Sequence, residues 1–194
     1  MRKLFITGES GMLATSIIKS LEDANKIVQR FEVMDNSSLA EYTNDFSYLN
    51  GKLVKPKEVD VTDTQVLDKV GKMLTKDDII IHTAAYVNTD KCDDFSYEAV
   101  NSNIISTQNL INLANTVGCK LIYFSTTAVF DPDEYMKNNG EFDETASIDP
   151  KTLYGLSKYS GELAVKQAMK SENMMVIKPV FIYGDAPFDN SSMI

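Results

Sequence analysis

The sequence predicts an α/β fold of the doubly wound type, a parallel sheet with helices on both faces. Short apolar runs alternate with amphipathic helical stretches along most of the chain, which is the pattern of successive β-α-β units. A glycine-bearing turn joins the first apolar run to the first helix. Right-handed crossovers between such units give a Rossmann-type sheet, whose ligand site lies at the carboxyl ends of the strands.

Six apolar runs are expected to form the strands. They are short and rich in Ile, Val, Leu and Phe, as strands buried on both faces are. The predicted strands are residues 3–7, 31–34, a segment within 52–59, 79–82, 121–125 and 174–178.

Four stretches have the 3.6-residue periodicity of helices. They cover residues 12–21, a stretch from 62 or 63 to 74, about 94–117, and 152–169. Thr62 or Asp63 is expected to cap the second helix, and Gly118 to end the third. The apolar stripe of the third helix is predicted to comprise Val100, Ile104, Thr107, Ile111 and Ala114.

Composition limits the class of partner. The 194 residues suffice for one domain with a real core, and the formal net charge of −9 argues against nucleic acid or an anionic membrane as partner. No run approaches the roughly 18 apolar residues of a membrane span, and the N-terminus lacks a signal-peptide pattern. Cys92 and Cys119 have no metal-ligand spacing and favour a reducing compartment, so no metal and a cytoplasmic location are expected.

The turn after the first predicted strand has the residue types of a dinucleotide site. In TGESGMLA, residues 7–14, Gly8 permits a tight turn, Gly11 lets a pyrophosphate approach the helix N-terminus, and Ala14 lets the helix pack closely. The alternative is a glycine-bearing turn without a ligand. Its place at the first strand-to-helix junction favours the cofactor site.

An acidic residue follows the second predicted strand. Asp35 lies 21 residues after the last alanine of the glycine turn, where dinucleotide sites carry an acid for the adenosine ribose. Because a carboxylate repels a 2′-phosphate, NAD(H) is predicted over NADP(H). The alternative is a surface Asp that starts a loop. Asp60 and Val61 are expected beside the adenine, and Ala84 and Ala85 to allow close passage of the cofactor.

A hydroxyl, a phenol and an ammonium form the candidate catalytic set. Tyr154 and Lys158 are four residues apart on a predicted helix and therefore share one face. Thr126 follows the fifth predicted strand and supplies the hydroxyl. A second Tyr-x-x-x-Lys at 48–52 is interrupted by glycine and has no such strand before it. The alternative for the helix pair is an exposed amphipathic face.

These motifs, in this order, resemble those of the extended short-chain dehydrogenase/reductase family. The resemblance rests on TGESGMLA, Asp35, VDVTD, HTAAY, NIISTQNL, STTAVF, YGLSK and KPVFIYG. Within the family, the chain is most similar to reductases of nucleotide-linked deoxysugars. This implies reduction of a sugar ketone with NAD(H), or alternatively NADP(H).

The resemblance also implies roles for the site residues. Tyr154 is the general acid, and Thr126 donates a hydrogen bond to the same oxygen. Lys158 holds the nicotinamide ribose, and its ammonium group lowers the phenol pKa together with the positive charge of the nicotinamide. Cofactor contacts are implied for Gly8, Ser10, Gly11, Met12, Leu13, Asp35, Asp60, Val61, Ala84, Ala85, Tyr86, Asn103, Tyr154 and Lys158.

Departures from the family pattern keep the reaction open. Thr127-Ala128 stands where these reductases usually have Asp-Tyr and sugar 4,6-dehydratases have Asp-Glu, whereas some epimerases tolerate it. Lys178 stands where Arg is more common. Family members continue past the sixth strand, but this chain stops ten residues after Gly184. Residues 1–194 are therefore interpreted as the NAD-binding domain, with the C-terminal substrate lobe absent or truncated.

Three functions follow from this interpretation: a nucleotide-sugar ketone reductase, an NAD-dependent nucleotide-sugar epimerase, and a non-catalytic cofactor-binding subunit or fragment. The resemblance implies a nucleotide-sugar substrate and homodimerisation. His82, the only histidine, is expected to be structural. Residues 131–150 are predicted to be a polar loop, with Glu141, Asp143 and Glu144 solvated.

Overall fold

The computed structural model describes residues 4–8, 11–23, 60–89, 91–92, 94–137, 143–180 and 182. The predicted strands at 31–34 and within 52–59 lie outside this part, as do Ser10, Asp35 and Glu141. The other four predicted strands are all described.

Four parallel strands form the described sheet, in the order β1-β2-β3-β4. Described helices lie between successive strands along the chain, so the predicted α/β fold of Rossmann type is confirmed. The strands are β1 Leu4–Thr7, β2 Ile79–His82, β3 Lys120–Phe124 and β4 Met174–Ile177. The last two end one residue earlier than predicted.

Six α-helices are described. Three of them match predicted helices, and the remaining predicted helix, at 94–117, is divided between α3 and α4. Asp63, and not Thr62, caps the second, because its carboxylate accepts the main-chain N–H groups of Gln65 and Val66. Thr152 caps the last in the same way. The helices are α1 Met12–Asp23, α2 Thr64–Met73, α3 Ser96–Val100, α4 Ser106–Val117, α5 Pro132–Lys137 and α6 Leu153–Ala168.

The predicted long helix at 94–117 is interrupted by a π-helical turn. Residues Asn101–Ile105 form this turn between α3 and α4. A π-turn contains more residues than an α-turn. The side chains of α3 therefore point in different directions from those that a continuous helix with α4 would give. Val100, predicted in the apolar stripe, is consequently 36% exposed, whereas Ala99 is fully buried. Gly118 ends α4 in the left-handed conformation, as expected.

The prediction that residues 131–150 form only a loop is wrong. The segment contains α5, which starts at Pro132 with acidic residues in its first turn, both favourable at a helix N-terminus. An isolated antiparallel bridge joins Phe130 to Ile148. Asp143 and Glu144 are exposed, as expected.

The main core lies between the sheet and the helices α2, α4 and α6. Phe5, Ile80 and Leu121 are neighbours in register on three strands, and all are buried. Leu110 and Ile111 of α4 and Val165 of α6 belong to the same cluster. Full burial of each such side chain contributes roughly 1.5–3 kcal/mol. This packing fixes α4 and α6 against the sheet face on which the candidate site is built.

Candidate active site

A row of polar side chains crosses the sheet at its carboxyl end. Thr7, His82 and Tyr123 pair across β1, β2 and β3, two positions beyond the apolar row of Phe5, Ile80 and Leu121. Because side chains alternate along a strand, both rows face the same side of the sheet. All three polar residues are buried.

The glycine turn lies directly against the loop after β2. Gly8 has φ +71°, and a Cβ on it would lie 2.8 Å from Ala84 Cα. Ala84 N–H donates to Thr7 Oγ1 at 3.2 Å, and Thr83 Oγ1 donates to the Thr7 carbonyl at 2.6 Å. Gly11 N–H closes the turn on the Gly8 carbonyl at 2.9 Å. The structure thus brings together Gly8 and Ala84, two predicted cofactor residues distant in sequence.

The π-turn places Asn103 against two other site segments. Its side-chain Oδ1 accepts the Tyr86 main-chain N–H at 2.7 Å, and its Nδ2 donates to the Tyr86 carbonyl at 3.1 Å. Nδ2 also donates to Ser157 Oγ at 2.9 Å. Asn103 is fully buried, so these bonds satisfy an amide that would otherwise be costly to bury. It fixes the loop after β2 to α6.

The three predicted catalytic residues come together at the ends of β3 and α6. Thr126 follows β3, and its hydroxyl accepts the Ala128 main-chain N–H at 3.2 Å. Burial raises the pKa of Tyr154, and a hydrogen bond with the Thr126 side chain offsets part of that rise. Phenol and hydroxyl are therefore neighbours, as the proposed chemistry requires.

Lys158 follows Tyr154 by about one turn of α6 and is buried. Only 2% of it is exposed, and its Nζ lies 4.3 Å from the centre of the Tyr123 ring, in a cation–π contact. Tyr123 Oη donates to the Lys158 carbonyl at 3.0 Å. Burial lowers the pKa of Lys158 to about 7. Near neutrality, the ammonium form is therefore only partly populated.

Burial raises the pKa of Tyr154 in the protein without cofactor. The predicted lowering depends on the positive charges of Lys158 and of a bound nicotinamide together, so it stays a prediction for the cofactor complex. Burial disfavours the phenolate, and it also lowers the pKa of Lys158 and so removes part of the positive charge of that side chain. The phenol is protonated at neutral pH, which is the form a general acid needs.

Sequence reasoning missed a buried ionic cluster next to the catalytic residues. Glu162 is 1% exposed; its Oε1 accepts from Lys166 Nζ at 2.6 Å and from Lys178 Nζ at 2.8 Å, and its Oε2 accepts from Ser125 Oγ at 2.9 Å. Burial alone would raise the pKa of Glu162, but these partners bring it below its usual value. The spacing of Glu162 and Lys166 is the only local signal for the cluster.

Other predicted positions are less directly involved. The Asp60 carboxylate accepts from the N–H and hydroxyl of Thr62 within its own turn, at 2.9 and 2.7 Å. The carbonyl of buried Val61 accepts from Asn109 Nδ2 at 3.2 Å. Met12 and Leu13 open α1, and Ala85 follows Ala84.

His82 is fully buried, as expected, and burial followed by the nearby Lys158 lowers its pKa to about 3, so the ring is neutral. In the described part of the chain, no group of three His, Cys, Asp or Glu side chains is arranged to hold a metal ion. None of the described helices is long and apolar enough to cross a membrane.

The parallel sheet, the Gly8 turn and the Thr126, Tyr154 and Lys158 arrangement define an extended short-chain dehydrogenase/reductase-like protein with a Rossmann-type fold. Comparison with known families is more specific. The chain belongs to the family described as the RmlD substrate binding domain, whose model matches residues 1–192.

Individual relatives agree with this assignment. The chain is 27% identical over 192 residues to the probable low-salt glycan biosynthesis reductase Agl14 of Haloferax volcanii, covering 98% of this chain and 56% of the relative. It is 30% identical over 162 residues to dTDP-4-dehydrorhamnose reductase of Aggregatibacter actinomycetemcomitans, covering 84% and 46%. The chain thus spans about half the length of these relatives.

A solved structure is similar throughout the chain. The dTDP-4-dehydrorhamnose reductase of Bacillus anthracis, crystallised in complex with NADP, superimposes with a TM-score of 0.72 at 25% identity. The match covers 98% of this chain and 57% of that structure.

Proposed function

We propose that this chain is the cofactor-binding part of a nicotinamide-dependent oxidoreductase that reduces a keto group on a nucleotide-linked deoxysugar. The observation that carries the proposal is the placement of Tyr154 beside Thr126, with the buried Lys158 one helical turn further along α6. This group stands at the carboxyl end of the sheet, the edge where the Gly8 turn also lies. The family and the dTDP-4-dehydrorhamnose reductases among the relatives support the same substrate class.

The residues present fit a dinucleotide. Gly8 has no side chain, and its main chain lies against Ala84. Helix α1 starts directly after the turn, so the first N–H groups of α1 would bind a phosphate there. When bound, the cofactor supplies the hydride. Gly8, Gly11 and Ala84 would hold it, together with Ser10, Met12, Leu13, Asp60, Val61, Ala85, Tyr86 and Asn103.

The chain's own residues then handle the proton. Tyr154 donates its phenolic proton to the substrate oxygen as negative charge develops there. Thr126 donates a hydrogen bond to the same oxygen and stabilises that charge. Lys158 contributes the positive charge that stabilises the resulting phenolate, and it would contact the nicotinamide ribose.

The first test separates proton transfer from cofactor binding. In Tyr154→Phe, oxidation of NADH or NADPH with dTDP-4-dehydrorhamnose as substrate is expected to fall by about 10²–10⁴-fold, because the general acid is lost. The cofactor dissociation constant, measured by calorimetry, should be nearly unchanged. Tyr159→Phe removes a phenol from the same helix outside the site and should retain activity. Equal activity in Tyr154→Phe would refute the mechanism.

We attribute the choice between NADH and NADPH to Asp35. Its carboxylate would bind the adenosine ribose and repel a 2′-phosphate, so NADH should bind more tightly than NADPH. Calorimetric titration of the chain with both cofactors tests this, and Asp35→Ser should narrow the difference. Tighter binding of NADPH would contradict the preference, and binding of neither would favour the non-catalytic fragment.

The assignment of 1–194 as one cofactor domain, the cytoplasmic location and homodimerisation stay predictions.

The NAD-dependent epimerase is the second candidate, because Thr127-Ala128 follows Thr126 in place of the usual reductase pair. Tightly retained NAD and conversion of a nucleotide sugar without net oxidation of added cofactor would favour it over the reductase.

A further inference from the structure

His82 connects two parts of the site through its ring nitrogens. Nδ1 lies 2.8 Å from Thr7 Oγ1, next to the glycine turn. Nε2 lies 3.0 Å from Thr107 Oγ1 and 3.5 Å from Ser106 Oγ, both on α4. The ring is fully buried and therefore exchanges none of these partners for water.

The protons of the neighbouring hydroxyls identify its tautomer. Thr107 Oγ1 donates to the Asn103 carbonyl at 2.8 Å, and Ser106 Oγ donates to a carbonyl one turn earlier, so each accepts from the ring. Thr7 Oγ1 accepts the Ala84 N–H at 3.2 Å, which leaves its own proton for Nδ1. Because a neutral imidazole has one donor and one acceptor nitrogen, Nε2 carries the proton.

The hydrogen bonds continue from α4 to the catalytic helix. The main-chain carbonyl of Asn103 accepts from Thr107 Oγ1. The side-chain amide of the same residue donates to Ser157 Oγ at 2.9 Å. Ser157 Oγ donates in turn to the Tyr154 carbonyl at 2.8 Å. A series of bonds, buried in its central part and part-buried at its two ends, thus extends from the Ala84 N–H to the first turn of α6, with every donor on the Ala84 side of its acceptor. We call this series the His82 relay.

We propose that His82 is a positioning residue that couples the seating of a dinucleotide at the Gly8 turn to the placement of Tyr154. The neutral ring, protonated at Nε2, joins β1 to α4 by hydrogen bonds. The bonds of Asn103 and Ser157 then connect α4 to α6, so a displacement of the ring displaces the first turn of α6. Movement of the turn or of the Ala84 loop then shifts the first turn of α6. The coupling rests on the proposed function, whereas the relay itself is a property of the protein without ligand.

The single histidine makes the tautomer directly measurable. In protein labelled with ¹⁵N-histidine, long-range ¹H–¹⁵N correlation spectra should show one neutral ring, protonated at Nε2 and unprotonated at Nδ1. A ring protonated at Nδ1, or an averaged mixture of tautomers, would overturn the proposal.

The reach of the relay is tested by breaking it at its far end. Ser157→Ala should shift the ¹⁵N signals of His82 although Ser157 does not touch the ring. Asp78→Asn is the matched control: Asp78 is buried at the opposite end of β2 and accepts from Thr75 N–H at 2.7 Å and from its hydroxyl at 2.9 Å. It lies closer to His82 in sequence but outside the relay. Unchanged His82 signals in Ser157→Ala would overturn the proposal.

Coupling to the ligand is measured with NADH and NADPH as probes. Thr107→Val keeps the shape but removes the nearer of the two acceptors of Nε2. It should weaken cofactor binding by about tenfold, the effect of one net hydrogen bond. Asp78→Asn should lower the stability of the fold but leave the affinity for NADH and NADPH unchanged. Equal affinities in Thr107→Val and the unmodified chain would overturn the coupling. If neither cofactor binds the unmodified chain, the proposed function and the coupling both fail, and the two spectroscopic tests still decide the relay.

Discussion

At the scale of single residues, burial controls the chemistry of the candidate site. Lys158 and Tyr154 both move toward their neutral forms, since burial lowers the pKa of the first to about 7 and raises that of the second. The protein alone thus has a protonated Tyr154 phenol and a Lys158 whose pKa lies near neutrality. A general acid is therefore in place before any ligand arrives.

The Lys158 shift predicts a pH-dependent stability. Between about pH 7 and 10.5, the unfolded chain keeps the Lys158 proton and the folded chain has lost it, so stability rises with pH across that window. The free energy of unfolding should rise relative to Lys158→Met by up to about 1.4 kcal/mol per pH unit. Denaturant unfolding at several pH values measures this. Lys170→Met, which removes an exposed charge, controls for net charge; parallel curves for the unmodified chain and Lys158→Met would contradict the shift.

Glu162 predicts a change of stability at acidic pH. Its pKa lies below the usual value, so its contribution is complete above the unfolded pKa of about 4.3 and is lost as pH falls through the folded value. Glu162→Gln should cost about 2 kcal/mol at pH 7, since it weakens charged hydrogen bonds to Lys166 and Lys178. The difference should begin to shrink as pH falls below about 4.3 and should close once pH is below the folded pKa. Glu172→Gln, at an exposed site, should change little; a similar cost there would argue against the buried cluster.

At the scale of elements, close approach between α6 and its neighbours shapes the site. A Cβ on Gly161 would lie 2.5 Å from Tyr123 Oη and 3.2 Å from the Asn103 carbonyl. The absence of a side chain thus lets α6 touch both β3 and the π-turn. This contact brings Lys158 over the Tyr123 ring and Ser157 to Asn103.

Gly161→Ala is therefore expected to destabilise the fold by about 1–3 kcal/mol, because a rigid ring and a main-chain carbonyl must move. It should also weaken cofactor binding. Gly71→Ala is the matched control within α2: its Cβ would meet the flexible end of Leu113 at 2.9 Å. Thermal unfolding and calorimetry compare the two variants. An equal loss of stability in both would contradict the special role of the α6 contact.

At the scale of the whole molecule, we expect stability to be highest in the central strands of the described sheet. Among the described strands, β2 and β3 each pair on both sides, and they contribute Ile80, Leu121 and Tyr123 to the main core. The short helix α5 lies outside that cluster, beside the smaller group of Val129, Phe130 and Ala146.

Amide hydrogen exchange should reflect this division. The amides of β2 and β3 are expected to exchange only through global unfolding, whereas those of α5 open locally with a much smaller free energy. Exchange followed by mass spectrometry against denaturant measures both. Protection of α5 equal to that of β3 would show that the second cluster is part of one cooperative core.

The sequence by itself determined the features that depend on neighbours along the chain. The strand runs, the Gly8 turn and the one-turn spacing of Tyr154 and Lys158 all follow from local periodicity and residue type. The described structure confirms the spacing, the left-handed Gly8 and the four strand runs that it includes. Even so, the π-turn and α5 escaped prediction, because the same residues fit a continuous helix or a loop equally well.

Only the tertiary structure decided the features that join distant segments. The bond between Thr7 and His82 spans 75 positions, and that between Ser125 and Glu162 spans 37. The pKa of Lys158 likewise depends on what excludes water from it, which no local pattern encodes. Sequence periodicity gives the face on which a side chain lies, whereas partners and burial are set by how the elements pack.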